Sequence, residues 1–243
     1  MLLTRLNPEK VVVKPLVLFV FFLSVSLYQA RSQDRWTLIK NEKGIMVYTK
    51  STDTSRIKSI KTVMYLKTSL SSLVALIQDA RNLHNWVYNN EYGEMLEQSS
   101  SMMTVSYTQT DLPWPVSDRD VVASIRITQY PVTKEVDICS ESKNNFFSEK
   151  EGFVRIRKFH AIWRLIPEIE GLVRVEFELY VDPAGNIPAW IANMTIKKGP
   201  YKTMLNMQKE ILCDRYKNAS LPFIMEPDKK DVYKNDPVTT KKK

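Results

Sequence analysis

The sequence predicts an α+β protein in which a curved antiparallel sheet carries one long C-terminal helix across its concave side. Three observations predict it. From Tyr92 to Val181 apolar and polar residues alternate with a period of two, broken by Pro131, Pro167, Gly152 and Gly171. Before that run, Leu70, Leu73, Val74 and Ile77 fall on one face of a helix. After Pro183 the helical period returns in Ile187, Trp190, Ile191 and Met194, then in Met204, Leu205, Met207, Ile211 and Leu212.

Each element has a local reason. Gly44 opens "GIMVYTK", where Ile45, Val47 and Thr49 alternate with Met46, Tyr48 and Lys50. Arg56–Leu66 is rich in β-branched residues and reads as a longer strand. Thr68 or Ser69 supplies a hydroxyl to cap the first helix, which should end near Asn82. Further strands are expected at Glu94–Ser99, Met102–Thr110, Asp120–Gln129, Lys134–Ser140, Arg155–Ile166 and Leu172–Val181. Short connections between them imply antiparallel pairing. The polar segment Glu141–Gly152 is too long for a tight hairpin and carries adjacent Phe146 and Phe147. In the last helix Asn186 is the expected cap and Pro188 sits in the first turn. Gly199-Pro200 should kink or briefly break it, because a proline ring clashes with the carbonyl four residues back.

The chain has 243 residues, enough for one domain with tails at about 150 residues per domain. Arg5, Lys10 and Lys14 precede the apolar run Pro15–Leu27. That run is the length of a signal-peptide core and short of the ~20 residues a membrane span needs. Residues 1–30 are therefore read as a signal peptide for secretion or periplasmic export, with an uncleaved membrane anchor as the alternative. Residues 31–218 form the folded domain, and 219–243 read as a basic, disordered tail. Cys139 and Cys213 are either one disulfide or two buried thiols.

Composition excludes several chemistries. Six glycines argue against a glycine-rich phosphate-binding enzyme, and the net charge of +8 shows no basic stripe interleaved with aromatics, so nucleic acid is not an expected partner. The two histidines, His84 and His160, make no metal-ligand spacing with the cysteines, and no G-x-S-x-G motif occurs. No cofactor, metal or catalytic residue is expected.

The stretches "GIMVYTK", "ARNLHNW", "DLPWPVSDRDVV" and "GNIPAWIANMTIKKGPYKTMLNM" together resemble the START (StAR-related lipid transfer) domain family, of the helix-grip fold shared with the birch-pollen allergen superfamily. The resemblance covers about Asp34 to Tyr216. It implies a tunnel under the C-terminal helix that binds a lipid or sterol-like molecule, no catalytic centre in the lipid carriers, and a mobile lid. The lid loop is expected at Glu141–Gly152. Some members carry a cavity arginine six residues after the motif arginine; here that position is Ile125, and Arg126 falls on the opposite face of a strand.

The expected ligand contacts, in cavity or lid, are Ile125, Phe146, Phe147, Trp163, Trp190, Ile191, Met194 and Met204. Trp114, Arg119 and Asp120 are expected to be structural: the tryptophan covers the end of the sheet, and the arginine ties its loop through Asp118 or Asp120. The protein should act as a monomer that touches a membrane surface transiently. Two other functions stay open. One is a helix-grip enzyme on a polyketide-like or aromatic ligand, using Arg126, His160 and Glu178. The other is an interaction module with an unused cavity.

Overall fold

A computed structural model of the chain describes residues 36–52, 55–185 and 187–228. Residues 1–35, with the expected signal segment, and 53–54, Asn186 and 229–243 lie outside the described residues. The elements run β1 (Thr37–Glu42), β2 (Ile45–Thr52), β3 (Ser55–Lys67), α1 (Leu70–Gln78), a 3-10 turn (Ala80–Asn82) and α2 (Leu83–Trp86). Then follow β4 (Asn90–Ser100), β5 (Met103–Thr110), β6 (Asp118–Gln129), β7 (Val136–Ser142), β8 (Phe153–Arg155), β9 (Lys158–Pro167) and β10 (Leu172–Asp182). The long helix α3 (Ala189–Glu210) and the short α4 (Asp214–Lys217) complete the fold. The strands form one sheet in the order β1-β2-β3-β10-β9-β7-β6-β5-β4, antiparallel throughout that path.

Alternation assigns each strand residue to a face. Ile60, Thr62, Met64 and Leu66 of β3 sit opposite Leu179, Phe177, Val175 and Val173 of β10. These belong to the concave face, where the main core gathers with Trp163, Leu165, Ile138 and Ile127. Helix α1 closes this core with Leu70, Leu73, Val74 and Leu76, and α3 closes it with Met204, Met207 and Ile211. Ser69 caps α1, its hydroxyl accepting from the Ser72 N–H at 3.1 Å. The 3-10 turn then presses on β4 so closely that a Cβ on Gly93 would lie 2.1 Å from the Ala80 carbonyl oxygen.

Two expectations about the elements are corrected. Arg155–Ile166 is not one strand. β7 ends opposite Ala123, which leaves the first residues of β6 without a neighbour on that side. β8 fills the gap by pairing parallel with Asp118–Asp120, and Ile156 N–H donates to the Asp120 carbonyl at 2.8 Å. Helix α3 runs through Gly199-Pro200 without a break. Its N-terminal boundary falls at Pro188, which makes no side-chain capping bond, and the expected cap Asn186 lies outside the described residues.

The domain also extends past 218. Ile224 is buried in the main core with Leu221 and Phe223 packed on it. Glu226 accepts from the Leu70 and Ser71 N–H groups at 3.0 and 2.7 Å, so a carboxylate from the segment read as tail neutralises the start of α1. Low overall apolar content hid the four apolar residues grouped in "LPFIM".

Candidate ligand-binding site

The concave face is not filled evenly. At the β10 start, Val173 and Val175 are buried beneath α1 and the C-terminal half of α3. Further along the same face, Phe177, Leu179 and Val181 are only half-buried. The chain leaves this end of β10 at Asp182 and starts α3 at Ala189.

An aromatic wall marks the change. Trp163 stacks on Phe177, ring centroids 4.1 Å apart, and Trp86 of α2 stands edge-on to Trp163 at 5.7 Å. Ile138, Trp163, Phe177 and Thr62 are successive cross-strand partners on β7, β9, β10 and β3. Trp163 and Phe177 therefore meet because register places them directly opposite.

Of the expected contacts, Trp163, Ile125 and Met204 come to this concave side. Ile125 is half-buried against the main core. Ile191 is fully buried. Met204 is fully buried in that core, beside the closed end. Trp190 and Met194 fall on backbone that is helical, but their side chains lie outside the described residues. Phe177, Thr62 and Trp86 were not singled out as contacts; strand parity counted from Ile60 and Val175 carried the signal for the first two.

Phe146 and Phe147 go elsewhere. Ile125 and Ile127 face inward, so Val122 and its partner Tyr107 face outward. Phe146 packs on that outer cluster of Val105, Tyr107 and Val122. Phe147 meets the Tyr107 ring at 5.3 Å. The loop expected as a lid thus covers the convex face. It is held by Arg155, whose guanidinium lies 5.0 Å over the Phe147 ring.

Beneath that loop is a buried ion pair. Arg155 Nε and Nη2 donate to Asp120 Oδ1 and Oδ2 at 2.7 and 2.9 Å, with both side chains 1% exposed. The Tyr107 hydroxyl donates to Asp120 Oδ2 at 3.1 Å and accepts from Gln109 Nε2 at 2.9 Å. Bonding to Asp120 raises the Arg155 guanidinium's pKa, and burial pushes the Tyr107 phenol up.

Asp120 therefore pairs with Arg155 and not with Arg119. Arg119 faces inward and donates to the backbone carbonyls of Pro183 and Ala184, both at 3.0 Å, and to that of Ser117. It ties the start of β6 to the turn before α3, and burial lowers its pKa. Asp118 instead accepts from the Leu112 N–H at 3.0 Å. Trp114 does not cover the sheet: it is 89% exposed, on a loop with a cis Trp114–Pro115 bond.

The remaining polar residues are also outside. Arg126 is exposed, opposite Cys139 on the convex face. His160 is exposed, with Nε2 3.8 Å from Glu141. Glu178 accepts from Arg164 Nη1 at 3.1 Å in a ladder of charges that continues through Lys61, Glu176 and Arg174. Cys139 and Cys213 are unbonded. A surface depression of about 430 Å³ at the β4 edge is lined by Arg81, His84, Glu91 and Glu94 with Tyr92 and Gly93. It carries one arginine against two glutamates and is separate from the aromatic wall.

A curved antiparallel sheet with a long C-terminal helix defines a helix-grip protein. The START domain family model matches residues 25–211. The chain belongs to that family. It is 28% identical over 173 residues to an uncharacterized protein of Pseudomonas aeruginosa, covering 71% of this chain and 85% of that protein. To the phosphatidylcholine transfer protein of Bos taurus it is 27% identical over 196 residues, covering 78% and 89%. The crystal structure of a STAR-related lipid transfer protein fragment from Xanthomonas axonopodis superimposes with a TM-score of 0.68 at 26% identity, covering 73% of this chain and 99% of that one. Membership supports lipid binding at the level of the family.

Proposed function

We propose that the protein binds one lipid or sterol-like molecule between the concave face and the first turns of α3, and carries it without changing it chemically. The observation that carries this reading is the exposure gradient along β10. Phe177, Leu179 and Val181 face the inside of the fold yet stay half-buried, where Val173 and Val175 on the same face are buried. An apolar ligand covering that face gains about 25 cal/mol per Å² removed from water.

The membrane-facing end follows from Trp114. It stands out between Pro113 and Pro115, and its loop is linked through Arg119 to the turn that starts α3. An exposed indole suits the headgroup region, where its apolar ring and N–H are both satisfied. The net charge of +8 favours an anionic surface. In this reading the protein works as a monomer, and Pro15–Leu27 directs export or anchors the chain. The enzymatic alternative gains no support, because Arg126, His160 and Glu178 all face the convex side, away from the aromatic wall.

The test is lipid extraction and mass spectrometry of natively purified protein, followed by vesicle-to-vesicle transfer. A stoichiometric co-purified lipid and protein-dependent transfer are expected, with Trp114→Ala slowing transfer severalfold at unchanged thermal stability. Protein free of lipid and inert toward a lipid panel would sink the proposal. N-terminal sequencing of protein from fractionated cells tests export: a mature start near Arg31 is the expected result.

A further inference from the structure

Strand direction fixes which loop tips share an end of the sheet. Trp114 precedes Asp118, the first residue of β6, and Arg119 ties that start to Pro183 and Ala184, just past the last residue of β10. Along the antiparallel path β1, β3, β9 and β6 run the same way, so the chain also enters β1 at the Trp114 end. The far end holds the β6–β7 hairpin, the β9–β10 turn and the start of α1 after β3. β6 has 12 residues, so the two ends stand roughly 40 Å apart at ~3.3 Å per residue.

The far end carries exposed apolar tips of its own. Val132 is 79% exposed, and Tyr130, Ile169 and Met225 are exposed with it. Ile127 and Val136, at the base of the hairpin, are buried, so the tip residues lie beyond the core. Met225 is held in place: its N–H donates to Gln129 Oε1 at 2.8 Å and its carbonyl accepts from Gln129 Nε2 at 2.7 Å, Gln129 being the last residue of β6. With Ile224 in the core and Glu226 on the start of α1, this strap roots residues 229–243 at the far end. The six lysines of that segment outnumber its two aspartates, for a side-chain charge of +4. The nearby described charges, Lys67 and Lys134 against Glu135 and Glu170, offset one another, so the segment sets the sign. Apolar tips beside a cluster of lysines fit a bilayer with anionic headgroups: the tips enter the interface, and each lysine near the surface contributes about 1 kcal/mol.

We propose that the far end docks on an anionic lipid surface while the Trp114 end meets another, so that one monomer bridges two bilayers. The proposal rests on the membrane reading of Trp114 above. Val132, Tyr130 and Met225 form the apolar part of the second contact, and the lysines of 229–243 supply its attraction.

The experiment mixes the full chain with vesicles of phosphatidylcholine and phosphatidylglycerol, reading binding by co-sedimentation and clustering by light scattering. The N-terminal segment is common to every chain compared. Wild type should bind and cluster the vesicles, and added salt should disperse the clusters. A chain ending at Asp228, which keeps the strap, and the double variant Val132→Ser with Met225→Ser should each lose clustering about tenfold or more while still binding vesicles. Trp114→Ala should lose clustering as well. The proposal is overturned if wild type binds without clustering, or if both far-end variants cluster as wild type does; the Trp114 reading survives either result. A dimer in vesicle-free solution that the double variant loses would make the far end an interface between copies, and that too overturns it. If wild type binds no vesicle, the Trp114 reading falls and the proposal with it.

Discussion

The two faces of the sheet solve opposite problems. The convex face buries charge and satisfies it: Asp120 accepts from both Arg155 nitrogens and from Tyr107, and a loop bearing Phe146 and Phe147 covers the group. The concave face buries apolar surface and leaves two polar atoms unsatisfied, Thr62 Oγ1 and Trp86 Nε1. A network in which each buried polar group has a partner belongs to a surface that has finished folding. An apolar face with unpaired donors and partial exposure suits a surface that a ligand completes. The loop with Phe146 and Phe147 therefore covers the outside of the fold.

Substitutions can break this contrast. The largest effect is expected from Asp120→Ala, which strands the Arg155 charge under its loop and should cost about 3–5 kcal/mol in urea unfolding. The double variant Asp120→Leu with Arg155→Met should regain much of that loss; if it is as unstable as the single variant, the ion pair is not the source of the cost. On the concave side, Gly93→Ala drives a Cβ into the Ala80 carbonyl and should cost about 1–3 kcal/mol by the same measurement. Phe177→Trp sharpens the comparison differently: added bulk on the half-buried wall should weaken binding of a fluorescent lipid about tenfold or more while the thermal midpoint holds, as a filled site predicts. Equal lipid affinity in this variant would place the ligand elsewhere. The smallest effect is expected from Arg164→Gln, which opens one rung of the convex charge ladder and should change stability by less than about 1 kcal/mol with no effect on lipid.

The fold was largely legible because periodicity is local. Ile45, Val47 and Thr49 alternate in the sequence and are all buried in β2. Leu70, Leu73, Val74 and Ile77 repeat at helical spacing and are buried in α1. The family was legible from "DLPWPVSDRDVV", although its residues do other work than expected: Asp120 pairs with an arginine 35 positions away, and Arg119 reaches the turn before α3, 64 and 65 positions away. The site was legible only in part. Trp163 stood out by its size on an inward parity, whereas Thr62 looked like any β-branched residue in a strand and Trp86 like a helix-end anchor.

By itself the sequence determined the class of fold, the order of its strands and helices and the inward identity of most apolar positions, because each depends on residues within a few places of one another. Tertiary structure alone decided which face the Phe146–Phe147 loop covers, which arginine neutralises Asp120, and that Glu226 returns to the start of α1. Those outcomes depend on strand register and on closing long loops, and a one-residue change of register reverses every face assignment. No local pattern carries that information.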